Sequence, residues 1–348
     1  MDGCNPVLGD RTIQCSAPCR IDMAGTLDLS TFFYPLGHLD PCTFNVALEL
    51  RTRVTLSAHE PGKVKVVSRG FKSAAFEAGK APFNHELGLM FAIAETFNAS
   101  GIRIRIDSLS PPRSGLGGSS VAAVALVAAF YHLSGRDVEK HRQQIALLAH
   151  AVEQSVAGVP CGLQDHLAAA FGGVSTWYWK GQAAGAPFRR SEMTGKLMAA
   201  GLEDALLVAY CGVPHESRNI NARWVENFLT AADRDTWREI VRAGRKFVAA
   251  MAGADFKEAA RWMNRETDLR CRLTPDVLET TGDRLVRAAR EAGCGARFTG
   301  AGAGGCIWAL GPREALRELR KEWAKILEQG NGAELLPASI ARQGVLLS

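Results

Sequence analysis

The sequence predicts a two-domain α+β protein. Three observations carry that expectation. The chain has 348 residues, and domains usually hold roughly 100–200. Hydrophobic residues make up 47% and charged residues 22%, enough apolar material to bury a sizeable core. Strand-like runs are followed by helix-like runs twice along the chain, which differs from a regular βαβ array. The expected domains are residues 1–185 and 186–348.

Residues 45–68 alternate apolar and polar side chains around a turn at Glu60-Pro61-Gly62, and read as two strands. Residues 102–108, IRIRIDS, alternate strictly, as a strand with one buried face does. From Ser119 to about His132 the chain is rich in Ala, Val and Leu and reads as a buried helix. His141 to Ala157 reads as a more amphipathic one. Trp177 to Pro187 is turn-rich and reads as the join between the halves, with Trp177-Tyr178-Trp179 as core or interface. Ala205 to Tyr210 reads as a buried strand, and residues 217–251, 256–270 and 275–292 as helices. A glycine-rich segment, a short apolar strand from Cys306 to Leu310 and a charged helix from about Arg313 to Glu328 follow.

Composition excludes collagen-like, coiled-coil and disordered classes. A net charge of +5 is mild and gives no case for a nucleic-acid partner, though it suits anionic small molecules. Nine cysteines, an odd number, are scattered along the chain. They read as buried small hydrophobes in a reducing compartment. Cys15 and Cys19 have no second pair at zinc spacing. No basic region precedes an apolar stretch at the N-terminus, and the apolar window around Val121 to Tyr131 is too short for a membrane span. The expected setting is cytoplasmic, with no membrane partner.

Three segments can carry chemistry. Pro111-Pro112-Arg113-Ser114-Gly115-Leu116-Gly117-Gly118-Ser119-Ser120 lies between a strand and a helix. Its glycines allow close backbone approach, and the N–H groups at the following helix start favour an anion. Ser119 and Ser120 add hydroxyls that can bind a phosphate oxygen or Mg²⁺. No Gly-Lys-Ser/Thr follows, so it is not a Walker A loop. The second segment runs from Phe298 to Cys306. Gly300, Gly302 and Gly305 satisfy G-x-G-x-x-G, but a strand-like run follows where a dinucleotide site needs a helix. A glycine loop between strands, passing close to a ligand or another backbone, is the better reading. The third is Cys161-Gly162-Leu163-Gln164-Asp165-His166, with Glu153 twelve residues before Asp165. Carboxylates in an apolar stretch need a partner or a metal; a salt bridge or helix cap explains each about as well as catalysis does.

Together these segments resemble the GHMP kinase family, which includes galactokinase, homoserine kinase, mevalonate kinase and phosphomevalonate kinase. The family's P-x-x-x-G-L-G-S-S-A appears as Pro111-x-x-x-Gly115-Leu116-Gly117-Gly118-Ser119-Ser120. Its K-x-T-G-A-G-x-G-G-C appears as Arg297-Phe298-Thr299-Gly300-Ala301-Gly302-Ala303-Gly304-Gly305-Cys306. Its N-terminal A-P-x-R, followed by a glycine-containing stretch and an Asp, appears from Ala17 to Asp28. The motifs occur in family order. Gly162-Leu163-Gln164-Asp165, followed by Ala168-Ala169-Ala170-Phe171-Gly172-Gly173, looks most like the heptose kinase and fucokinase branch. Relative to that branch, the stretch from Arg20 to Asp28 is one residue shorter and lacks a triple glycine, and Gly118 replaces the first motif serine.

The resemblance implies an N-terminal α/β domain with a left-handed crossover, a ferredoxin-like C-terminal domain, and an active site in the cleft between them. It implies ATP and Mg²⁺ as cofactors. Gly115 to Ser120, with Pro111, would wrap the ATP phosphates. Ser119 and Glu153 would hold Mg²⁺. Asp165 would be the catalytic base, with Arg20 lowering its pKa and stabilising charge on the γ-phosphoryl group. Asp28, Gly162, Gln164, Arg218 and the loop Gly300, Ala301 and Gly302 would meet the substrate. His166 is expected to have a structural role, and His215 is a weaker candidate than Arg218 for contact with substrate or phosphate. The implied activity is phosphorylation of a hydroxyl on a sugar or sugar phosphate, by a monomer or homodimer. A mevalonate- or homoserine-type kinase and a non-catalytic sugar- and ATP-binding regulator are the alternatives.

Overall fold

The computed structural model describes residues 8–9, 11–158, 160–181, 185–214 and 217–347, the side chains of 217–219 excepted. The chain runs β1 (Ile13–Met23), α1 (Ser30–Phe33), β2 (Cys42–Ala58), β3 (Lys63–Ser68), β4 (Ala74–Glu77), α2 (Gly88–Thr96), β5 (Ile102–Ser108) and α3 (Gly118–Leu133). Then come α4 (Arg142–Val156), α5 (Gln164–Phe171), β6 (Val174–Trp179), β7 (Phe188–Glu192), α6 (Thr194–Ala199), β8 (Leu206–Tyr210), α7 (Ser217–Leu229) and α8 (Arg234–Ala252). The last elements are α9 (Phe256–Leu273), α10 (Thr280–Glu291), β9 (Gly295–Phe298), β10 (Cys306–Leu310), α11 (Arg313–Leu327), β11 (Glu334–Leu336) and β12 (Leu346–Leu347).

Two sheets result. The first has the order β12-β1-β2-β5-β3-β4, with the β6–β7 pair attached to β2. The 17-residue β2 serves two neighbours: Cys42 to Val46 pair with β6, and Thr52 to Ala58 pair with β5. Its strands are antiparallel except β3 and β5, which run parallel and are joined through β4 and α2. The second sheet has the order β11-β8-β10-β9, all antiparallel. With helices between β8 and β9 and α11 between β10 and β11, this is the ferredoxin-like arrangement. The tail returns to the first sheet, where Leu346 and Leu347 pair with β1.

Helix α3 explains its own sequence. It is apolar on every side because it is enclosed by β1, β2, α2, α4 and α5. Strand β1 was not legible from alternation. Pro18 interrupts it, and its register against β2 shifts between Pro18 and Cys19, as at a bulge. The bulge leaves Arg20 and Asp22 two residues apart on one face of a buried strand.

Four expectations change. Trp177 to Trp179 form strand β6, with Trp177 and Trp179 buried in the core, and are not a turn. The 185/186 position falls inside the β6–β7 hairpin, both strands of which belong to the first sheet. The helix expected over 217–251 divides into α7 and α8, and α10 starts at Thr280, after the predicted Pro275. All eight described cysteines are free. Among the described residues, no helix is long and apolar enough to cross a membrane.

Candidate functional site

A cavity of about 470 Å³ opens where β1, the 111–120 loop, α4 and the start of α5 meet the Gly300 loop. At its centre, Arg20 of β1 makes a bidentate pair with Asp165 in the first turn of α5. Nε donates to Oδ1 at 2.7 Å and Nη2 to Oδ2 at 2.9 Å. Nη1 donates to the Gly115 carbonyl at 2.6 Å, which fixes the guanidinium under the glycine loop. Arg20 is buried, while 20% of the Asp165 side chain is exposed toward the cavity. Burial alone would lower the Arg20 pKa, but the Asp165 and Asp22 carboxylates outweigh it, so the guanidinium is held more firmly charged than usual.

The 111–120 loop ends at Gly117, whose φ of +80° puts it in the left-handed region that favours glycine. A Cβ there would also lie 3.1 Å from Asp165 Oδ2. This lets the loop fold over Asp165 and start α3 with Gly118 and Ser119 exposed to the cavity. The free N–H groups of that helix start form an anion site.

Glu153 of α4 is buried beside it. Its Oε2 accepts a hydrogen bond from Ser120 Oγ at 2.7 Å, and His166 Nε2 approaches the same oxygen at 2.7 Å. Burial alone would raise the Glu153 pKa. His166, Ser120 and Ser119 together pull it down to about 2, so the carboxylate is ionised at neutral pH. Two hydroxyls and an ionised carboxylate facing a cavity are hard oxygen donors, which fit Mg²⁺. Cys161 and His166 bring softer donor atoms within 4.8 Å of the Glu153 carboxylate.

Asp28 closes the other end of the cavity. It is buried, and its Oδ2 accepts the Gln164 backbone N–H at 3.0 Å. Burial raises its pKa to about 7, with the Gln164 bond opposing and the nearby Asp165 charge adding. Asn45 Nδ2 donates to Gln164 Oε1 at 3.0 Å and sets that amide. Gly162 packs so closely that a Cβ would sit 1.9 Å from Asp28 Oδ2. Gly162→Ala is therefore expected to push Asp28 aside and to raise the KM of the bound small molecule about tenfold or more. ATP affinity should stay within about twofold; steady-state kinetics in both ligands check this.

The cavity thus gathers Arg20, Asp28, Pro111, Gly115, Gly117, Gly118, Ser119, Ser120, Glu153, Gly162, Gln164, Asp165, Gly300 and Ala301 on one wall system. Leu116 and Gly302 do not line it. Leu116 is buried in the core and receives the Arg20 backbone N–H through its carbonyl, while Gly302 packs on Val277. Arg218 lies in the first turn of α7, and its side chain, like all of His215, falls outside the described residues. His166 contacts Glu153, a role the sequence did not assign. Thr26, Asn45 and Asn221 were also missed. The sequence sign of Thr26 was its place in the stretch between Arg20 and Asp28; no motif singled out Asn45 or Asn221.

The chain is similar to known kinases. Residues 85–173 match the GHMP kinases N terminal domain and residues 247–329 the GHMP kinases C terminal domain. A mevalonate kinase of Aeropyrum pernix is 29% identical, over 97% of this chain and 98% of its own. A D-glycero-alpha-D-manno-heptose 7-phosphate kinase of Campylobacter jejuni is 23% identical, over 86% of this chain and 89% of its own. The fold is shared with Lactococcus lactis galactokinase solved with galactose, at a TM-score of 0.74 and 18% identity over 97% of this chain and 95% of that one.

Proposed function

Because the chain belongs to the GHMP kinase family, and is therefore a phosphotransferase acting on a hydroxyl group, we propose that it transfers the γ-phosphoryl group of ATP to a sugar or sugar-phosphate hydroxyl. The observation that carries this reading is the Arg20–Asp165 pair, set between the glycine loop and Asp28 in one cavity.

Bound ATP would supply the phosphoryl group, and Mg²⁺ would supply positive charge against the charge that builds on it. Gly115 to Ser120 cradle the phosphates through backbone N–H groups and the α3 start. Ser119 and Glu153 would hold the ion, with Ser120 and His166 keeping the Glu153 carboxylate in place. Asp165 takes the proton from the acceptor hydroxyl at its exposed edge. Arg20 orients that carboxylate through two parallel bonds and places positive charge near the reacting oxygens. Asp28, Thr26 and Gln164 meet the other acceptor hydroxyls.

The acceptor end favours a polyhydroxylated molecule over mevalonate. It presents the Asp28 carboxyl, the Thr26 hydroxyl and the Gln164 amide, three groups that exchange hydrogen bonds with hydroxyls. The Aeropyrum relative's identity supports the mevalonate reading instead. ATP consumption with Mg²⁺ against heptose 7-phosphate, heptose, fucose, galactose, mevalonate and homoserine separates the two. Turnover with a sugar is expected; turnover with mevalonate alone overturns the sugar assignment.

The raised Asp28 pKa gives a pH prediction. The folded protein keeps a proton that an unfolded carboxyl, with its ordinary value near 3.8, has already lost. Stability is therefore fullest below that value and falls as pH rises toward about 7. Over the upper part of that range Asp28 becomes a better hydrogen-bond acceptor. The acceptor KM should fall from about pH 6 to about pH 8, and the trend should vanish in Asp28→Asn.

A further inference from the structure

Behind the cavity, six charged side chains alternate in sign in the order Asp165, Arg20, Asp22, Arg297, Glu266, Arg270. Arg20 Nη1 lies 3.5 Å from Asp22 Oδ1, and Arg297 Nη1 donates to Asp22 Oδ2 at 3.0 Å. Arg297 Nε and Arg270 Nε donate to the two Glu266 oxygens, each at 2.8 Å. Asp22, Arg297, Glu266 and Arg270 are fully enclosed, at 0% exposure. The charges balance, which an enclosed set requires. Glu266 and Arg270 belong to α9 and Arg297 to β9, so the chain of charges crosses from the second sheet to β1.

Two members of this chain hold backbone at or beside the cavity. Asp22 Oδ1 accepts the Gly300 N–H at 2.7 Å, and Arg270 Nη2 donates to the Gly25 carbonyl at 2.6 Å. Gly25 is flanked by Ala24 at φ +57° and Thr26 at φ +72°, two side-chain-bearing residues in the left-handed region. That conformation is unfavourable for both, more so for the β-branched Thr. It persists where the surroundings impose it. The same turn leads into Asp28, and Thr26 and Asp28 both line the cavity. The Arg270 guanidinium is itself fixed, 4.7 Å from the ring centres of both Trp224 and Trp237. Its planar fork reaches Glu266 and Gly25 at once, which a lysine ammonium cannot reproduce.

We propose that Arg270 is a positioning residue for the acceptor, reaching from α9 to hold the 24–28 turn in the left-handed shape that presents Thr26 and Asp28. The proposal rests on the reading of that turn as acceptor-binding. Two readouts separate failure of one from failure of the other. Hydrogen exchange of residues 23–29 needs no acceptor. It should be about tenfold or more faster in Arg270→Lys and Arg270→Met, with the 111–120 loop unchanged. Adding Ala24→Gly, which makes the left-handed turn intrinsically acceptable, should restore slow exchange. For whichever panel acceptor the parent turns over, the KM should rise about tenfold in both Arg270 variants, with the ATP KM within about twofold, and fall back with Ala24→Gly.

Unchanged exchange in folded Arg270 variants overturns the proposal, as does a defect that Ala24→Gly does not relieve. If an Arg270 variant does not fold, recovery of the fold on adding Ala24→Gly supports the proposal and continued unfolding overturns it. If the parent turns over no panel acceptor, the acceptor reading fails and the exchange arm still decides whether Arg270 holds the turn.

Discussion

Asp165→Asn lowers kcat by about 10²–10⁴-fold, the range that removal of a positioned general base commonly costs. Folding and ATP affinity stay close to those of the parent. The change keeps the shape of the side chain, and its amide oxygen still accepts one hydrogen bond from Arg20, which also keeps its bond to the Gly115 carbonyl. Thermal melting should therefore shift by only a few degrees, and ATP should bind within about threefold of the parent value. Single-turnover kinetics give the decisive number, because they isolate the chemical step from product release. A rate within about threefold of the parent would remove Asp165 from the role of base.

Arg20→Met has the second large effect, and it falls on the fold as well as on turnover. Arg20 is enclosed between Asp165 and Asp22, and its loss leaves two carboxylates without their shared cation. Breaking a buried pair from one side costs about 3–5 kcal/mol. The Gly115 carbonyl also loses its partner, which frees the phosphate loop. The variant should melt well below the parent and transfer phosphoryl groups at least about 10²-fold more slowly. Urea unfolding and a rate assay at low temperature read the two effects separately. A variant as stable as the parent would contradict the picture of Arg20 as the shared partner of both acids.

How much of this was legible in the sequence depended on the kind of signal. Strands β2, β3 and β5 alternate along half-buried faces, and α3 is a long apolar run, so their positions follow from period and composition. The phosphate loop was readable because Gly115 and Gly117 with Ser119 and Ser120 form a local pattern. Strand β1 was hidden by Pro18 and by Arg20 and Asp22, residues that a buried strand tolerates here only because partners from β9 and α5 meet them. Those partners lie more than 100 residues away, where local pattern has no reach. The same holds for Trp177 to Trp179. Flanking glycines and prolines suggested a turn, while pairing with β2 and β7 makes a strand. Glu266, Arg270 and Arg297 sit in helices and strands of ordinary pattern, and only the fold brings them to Asp22 and Gly25.

The most direct test of the central claim follows the γ-phosphorus of ATP by ³¹P NMR, with Mg²⁺ and each panel acceptor, for the parent chain and Asp165→Asn side by side. A phosphomonoester on a sugar or sugar-phosphate hydroxyl, formed by the parent and nearly absent with Asp165→Asn, is the predicted result. Binding of ATP and sugar with no phosphomonoester from any acceptor would contradict it, and would make the protein a binding module that keeps the cavity without the transfer.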